Sequence, residues 1–223
     1  MSPSQLVTIA PALSAKTMYI PNYFQGPDQP AVFDFVEAHS FGLVVSACDG
    51  ELCGTHLPLL LRRDVGPHGQ LVGHMSRANP HSRDMAGAEV LAIFNGPHAY
   101  ISPTWYEADD VVPTWNYLAV HATGRCEMID DEEVAMQVVA DYVAFYEQSM
   151  PRPWRLDTTT TYNRRLVKQI VAFKIDIIRL EAKWKLGQNH SADRREKVSR
   201  HLAESTNAEA QEIGRLMRGT QGT

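Results

Sequence analysis

Cysteine is scarce in this 223-residue chain: Cys48, Cys53 and Cys126 are an odd number without metal-ligand spacing, which excludes a disulfide scaffold and fits a reducing cytoplasm. Cys48 and Cys53 flank a hairpin but lack the CxxC redox spacing. No apolar run approaches the roughly 20 residues that a bilayer-crossing helix needs, so a soluble protein without membrane contact is expected. Residues 1–17 lack the basic start and apolar core of a secretory signal and read as a flexible extension. Neither HExxH nor a short-spaced His/Cys pair joins His74, His81, His98 or His121, so no metal site is expected. A GxSxG elbow is missing too, and nothing in the sequence demands a covalent nucleophile; no catalytic residue can be named. The glycine-rich strand-to-helix turn of Rossmann and P-loop proteins is likewise absent, so any phosphate must be gripped by side chains and exposed amides.

What is present suffices for one sizeable core, with 44% apolar residues and no internal repeat. The net charge of −5 hides a division: residues 1–161 hold 8 Lys/Arg against 19 Asp/Glu, and residues 162–223 hold 13 against 7. The basic part, including Arg164, Arg165, Lys168, Lys183, Lys185, Arg194, Arg195, Lys197 and Arg200, is either a nucleic-acid contact or a solvated face. Its alternation with acids favours the solvated face.

The chain alternates short strands and turns, with helices at one edge and at the end. Asp28 caps a helix through Val32, Phe33, Val36 and His39. Residues 41–48 and 52–61 pair about the Asp49-Gly50 turn, a loop at 63–69 follows, and a strand covers 70–74. Asn79-Pro80 starts a short helix, with Asn79 as cap and proline at the first helical position. Strands are expected at 89–94, 99–105 and 114–129. Asp130 with Glu133 forms a capping box before a helix whose Val134, Val138, Val139, Tyr142, Val143 and Tyr146 make a core stripe. A helix at 160–171, a strand at 173–186 and a polar helical tail at 192–217 complete the reading. Strands without crossover helices between them imply an α+β fold built on an antiparallel barrel.

The densest chemistry lies in residues 73–80, a strand-to-helix corner suited to phosphate. Arg77 can donate two parallel hydrogen bonds, Ser76 and Asn79 add neutral donors, and the first amides of the helix add its dipole. The plainer alternative makes Arg77 a surface cation beside Asp84 and Asn79 a mere cap. His56 and His74 lie in strand-like segments, where a polar ring needs a partner or lines a cavity. Two polar-aromatic segments follow, containing Trp105 and Trp115; these tryptophans serve as core or as stackers, while Asn116 between aromatics needs partners for both amide ends. The combination suggests a flat, phosphorylated, aromatic ligand.

Ordered blocks carry a resemblance. Met18-Tyr19-Ile20-Pro21-Asn22-Tyr23-Phe24, Thr55-His56-Leu57-Pro58, the 73–80 corner, the run from Val90 to Pro103, Val112-Pro113-Thr114-Trp115-Asn116-Tyr117 and Lys183-Trp184-Lys185-Leu186-Gly187-Gln188-Asn189 resemble the PaiB-type FMN-binding negative transcriptional regulators. The resemblance implies a split β-barrel, as in pyridoxamine-phosphate oxidases, over residues 18–189, with a helical tail at 190–223. It also implies a homodimer with two FMN sites at the subunit interface. Carried over, Ser76, Arg77 and Asn79 lie near the flavin phosphate with His74 beside them. His56, Leu57 and Pro58 lie along the isoalloxazine edge. Trp115, Asn116, Tyr117, Lys185 and Gln188 close the site, from the second subunit in one arrangement. Two departures stand out: residues before Met18 lie outside the resemblance, leaving Met18 as an alternative start, and Gly187 replaces a serine. The function implied is flavin-linked repression that senses redox state or a metabolite, with direct DNA contact doubtful because the barrel is acidic and no recognition helix is visible. An FMN-dependent oxidoreductase is the alternative, and a haem-handling barrel with His74 on iron is the third.

Overall fold

A computed structural model describes residues 17–48 and 50–219. Among these residues seven strands form one antiparallel sheet: β1 (Phe41–Cys48), β2 (Glu51–Pro58), β3 (Leu60–Arg62), β4 (Gln70–Ser76), β5 (Glu89–Ile101), β6 (Thr114–Ile129) and β7 (Ile170–Lys185). Their order is β2-β1-β5-β6-β7-β4-β3. The two edges of this sheet are consecutive in the chain and separated by Leu59 alone. The sheet therefore curls until its edges meet, which makes the expected split barrel.

The seam is held by named groups. Pro58 has no N–H to continue a ladder, and the buried Leu59 donates its amide to the Ser40 carbonyl at 2.8 Å. The Tyr142 hydroxyl reaches across, 2.5 Å from the Pro58 carbonyl oxygen and 2.9 Å from that of Val72. Its one proton thus lies between an acceptor on the edge strand β2 and one on β4, the strand next to the other edge. Tyr142→Phe keeps the ring and removes both of these contacts, so it should lower stability by about 2 kcal/mol, readable as a shifted urea midpoint.

Alternation along the strands sorts inside from outside. Val44, Leu57, Leu71, Phe94, Val120, Phe173 and Ile175 fill the barrel. The opposite face of β4 and β7, with Val72 and Ala172, packs against α3 (Glu132–Glu147) and α4 (Thr161–Val167) through Met136, Val138, Tyr142 and Val167. The polar C-terminal segment is two helices, α5 (Ala192–Ala203) and α6 (Ala208–Gly219). Their Val198, Leu202, Ile213 and Met217 join the main core.

Several local boundaries differ from expectation. Residues 89–94 and 99–105 were expected as two strands, but β5 is one, bent by an irregularity between Asn95 and His98. The missing N–H of Pro97 falls in that irregularity and interrupts no regular ladder. Trp105 belongs instead to a 3₁₀ turn, Pro103–Tyr106. The strand expected at 52–61 breaks at the seam. The helix expected at 160–171 stops at Val167, because Ile170 already pairs with Ser76 of β4. The cap of α3 is Asp131 rather than Asp130: its carboxylate accepts from the Glu133 and Val134 amides. Gly50 takes φ +87 in the first hairpin, while Asp49 and the extension through residue 16 lie outside the described residues.

Candidate functional site

Pairing with β7 carries β4 as far as Ser76, where the chain turns. The Arg77 amide donates to the Gln169 carbonyl at 2.9 Å, and its Nε donates to the Lys168 carbonyl at 3.0 Å. One edge of the guanidinium is thereby held against the turn between α4 and β7. Both Nη groups make no hydrogen bond or ion pair among the described residues, so the surface pair with Asp84 does not form. Ser76 and Arg77 are exposed beside each other, and the Ser76 Oγ accepts from the Ala78 amide. A forked cation with a free face next to a hydroxyl fits a phosphate dianion.

Asn79 does more than cap. Its Oδ1 accepts from the His81 amide at 3.1 Å, and its Nδ2 donates to Thr55 Oγ1 at 3.3 Å. The helix α2 (His81–Met85) has only five residues and begins after Pro80, not at it. With the His81 amide already engaged, the expected dipole contribution of this helix is small.

Thr55 brings the neighbouring expected residues to the corner. Leu57 points into the barrel, while His56 lies exposed on the outer face with its ring centroid 6.3 Å from that of Phe41. Pro58 sits in the seam. His74 faces the second layer, edge-on to Tyr142 at 4.8 Å, and lines a cavity of about 140 Å³ with Met136, Val139, Asn163 and Leu166. Burial lowers its pKa from 6.5 and keeps the imidazole neutral, and its buried Nδ1 has no partner among the described residues. A cavity of that size admits one small ring and has no room for a haem.

The remaining expected residues lie elsewhere. Lys185 Nζ donates to Thr114 Oγ1 and, at 2.8 Å, to the Trp115 carbonyl; desolvation lowers its pKa. Gln188 closes its own loop, donating to the Trp184 carbonyl and accepting from the Leu186 amide, both at 2.7 Å. Asn116 is fully buried: its Nδ2 donates to Met217 Sδ, and its Oδ1 is unpartnered among the described residues. Gly187 takes φ +76, a backbone that disfavours the serine expected there. Trp115 is 52% exposed and meets Tyr100 edge-on at 5.9 Å. Tyr117 lies beneath Lys183, whose amine is 5.5 Å from its ring centroid.

These two sets occupy opposite ends of β7. Ser76 pairs with Ile170, whereas Tyr117 pairs with Lys185, a separation of roughly 50 Å along an extended strand at about 3.3 Å per residue. The bulge near Ile178 shortens this span but leaves the ends apart.

Residues 18–179 match the family model described as "Putative FMN-binding domain". The chain belongs to this FMN-binding family. The Bacillus subtilis (strain 168) "Protease synthase and sporulation protein PAI 2" is 36% identical over 203 residues, covering 90% of this chain and 96% of that protein. The FMN-binding family thus includes the PaiB-type relatives expected from the ordered blocks, and FMN is the cofactor. Among solved structures, the FAD- and haem-binding protein of Mycobacterium smegmatis aligns with TM-score 0.58 at 16% identity, over 77% of this chain and 78% of that one. The flavocytochrome Anf3 of Azotobacter vinelandii aligns with TM-score 0.58 at 15% identity, over 74% and 72%. At such identities the likeness concerns the fold, and that fold is the split barrel.

Sequence reasoning missed Thr55 as a polar partner and treated His81 only as a zinc candidate. Among the described residues no group of three or more His, Cys, Asp or Glu is placed to hold a metal ion. The burial of His81 could not be read from a segment rich in Asn, Pro, Ser and Arg. Likewise, no described helix is long and apolar enough to cross a membrane.

Proposed function

We propose that this chain is a flavin-dependent control protein that holds each FMN between two copies of itself. The carrying observation is the separation of the two residue sets along β7: one protomer supplies the phosphate corner, and a second supplies the closing group. Ser76 and Arg77 take the phosphate with Asn79 holding their turn, while His56 to Pro58 border the ring. Trp115, Tyr117 and Lys185 of the other copy close over it, with Asn116 and Gln188 supporting their loop. The outer face of β1 and β5 offers a surface for pairing. Leu43 lies opposite Ile93 and Val45 opposite Leu91 there, beside an exposed Phe41.

Bound FMN supplies reversible electron transfer, which lets the protein report redox state. The regulatory side of the reading draws on the Bacillus relative, named for protease synthase and sporulation. Direct DNA contact is not part of it, because most of the C-terminal cations face acids. Arg164 pairs with Glu133, Lys168 with Glu132, Arg194 with Asp110, Lys197 with Glu107, Arg200 with Glu196 and Arg215 with Glu212. A paired face gathers few DNA phosphates.

Light scattering on the FMN-saturated protein, with flavin counted by absorbance, tests the proposal. Two chains carrying two FMN are expected, with no salt-sensitive shift of promoter DNA. A monomer that retains full FMN affinity would remove the shared site, and turnover of NAD(P)H at enzymatic rates would favour the oxidoreductase alternative.

A further inference from the structure

His81 is the most deeply placed polar group near the corner. It is 0% exposed, yet both ring nitrogens are engaged: Nε2 lies 2.9 Å from Ser46 Oγ on β1, and Nδ1 lies 2.8 Å from Thr55 Oγ1 on β2. Burial lowers its pKa from 6.5 against the opposing field of Asp84, so the ring is neutral and carries one proton.

The hydrogen inventory fixes the Asn79 end of this arrangement. Asn79 Oδ1 is occupied by the His81 amide, so Nδ2 is the end that faces Thr55, and it can only donate. Thr55 Oγ1 accepts from it and shares a second hydrogen bond with His81 Nδ1, while Nε2 shares one with Ser46, in either neutral tautomer. A closed circuit results, running from the His81 amide to Asn79, on to Thr55 and back to the His81 ring.

We propose that His81 is a positioning residue for the phosphate site, fixing Asn79, and with it the turn that presents Ser76 and Arg77, through Thr55. The ligand it serves rests on the flavin reading above. Thr55 directly precedes His56, so the circuit also ties the phosphate corner to the strand that borders the ring. The corner has few other anchors, chiefly the Arg77 contacts with residues 168 and 169. Backbone placement by about an ångström decides whether both Nη groups reach one phosphate.

Thr55→Val tests this in the full chain, because valine keeps the strand shape and removes only the hydroxyl. Two readouts are taken. In the flavin-free protein, amide hydrogen exchange of residues 78–81 should speed up while β6 amides stay protected. In titrations, FMN should bind about tenfold more weakly while riboflavin, which has no phosphate, binds as to the parent. Thr55→Ser should restore both, and Ser46→Ala should give a smaller change in the same direction. Unchanged exchange at 78–81 in Thr55→Val overturns the inference, as does an equal loss of riboflavin and FMN. A parent protein that binds neither flavin, but whose Thr55→Val exchange changes as expected, overturns the flavin reading and leaves the positioning role standing.

Discussion

Arg77→Ala should weaken FMN binding by roughly ten- to a hundredfold and leave riboflavin binding within about twofold of the parent. The asymmetry follows from geometry. Arg77 is tethered through Nε alone, so truncation removes two free donors and costs the fold one bond to the Lys168 carbonyl. Lysine is a poor substitute, since a point charge lacks the fork that meets two phosphate oxygens. Arg77→Lys should therefore recover only part of the affinity, and the loss should shrink as salt is added. Fluorescence quenching of the two flavins, measured side by side, checks all of this. Equal binding of FMN by Arg77→Ala and the parent would move the phosphate away from this corner.

The second large effect concerns the barrel. Gly124 is buried in β6 where the β6–β7 register shifts. A Cβ there would stand 2.5 Å from the Asp176 backbone oxygen and 2.7 Å from Ile175 Cγ2. The backbone contact cannot be relieved by turning a side chain, so the strands must separate. Gly124→Ala should cost about 3 kcal/mol and lower the melting temperature by roughly 10 °C. Calorimetry reads the shift directly, and a change of under about 2 °C would mean that the bulge relaxes freely. FMN affinity at low temperature should hardly change, since neither residue set lies beside Gly124.

The two variants separate binding from folding, and they also mark how far the sequence could be read. The antiparallel barrel was legible because hydrophobic alternation and turn residues are local signals, and the ordered blocks led to FMN. Arg77 stood out for the same reason: its hydroxyl and amide neighbours are adjacent in the chain. Boundaries fared worse wherever a distant strand competed with local preference. Ile170 has helical neighbours but lies opposite Ser76, and the ladder prevailed. Pro97 looked like a strand end until an irregularity absorbed its missing donor.

His81 and Tyr142 are the sharper lesson. Tyr142 is one member of an apolar stripe, and only the meeting of β2 with β4 gives its hydroxyl two carbonyls. His81 follows Asn79-Pro80 in a polar segment, and only the closeness of β1 and β2 buries it between two hydroxyls.

The sequence by itself determined the chemistry available: a forked cation beside a serine, aromatic segments, an alternating pattern that closes on itself, and a family that binds FMN. Tertiary structure decided which of these groups can act together. It left both Arg77 Nη groups open, locked Asn79 through a buried imidazole, and set Trp115, Tyr117 and Lys185 at the far end of a strand. The reason is that side-chain type is a local property, whereas distance, burial and hydrogen-bond saturation are fixed by pairings between residues far apart in the chain.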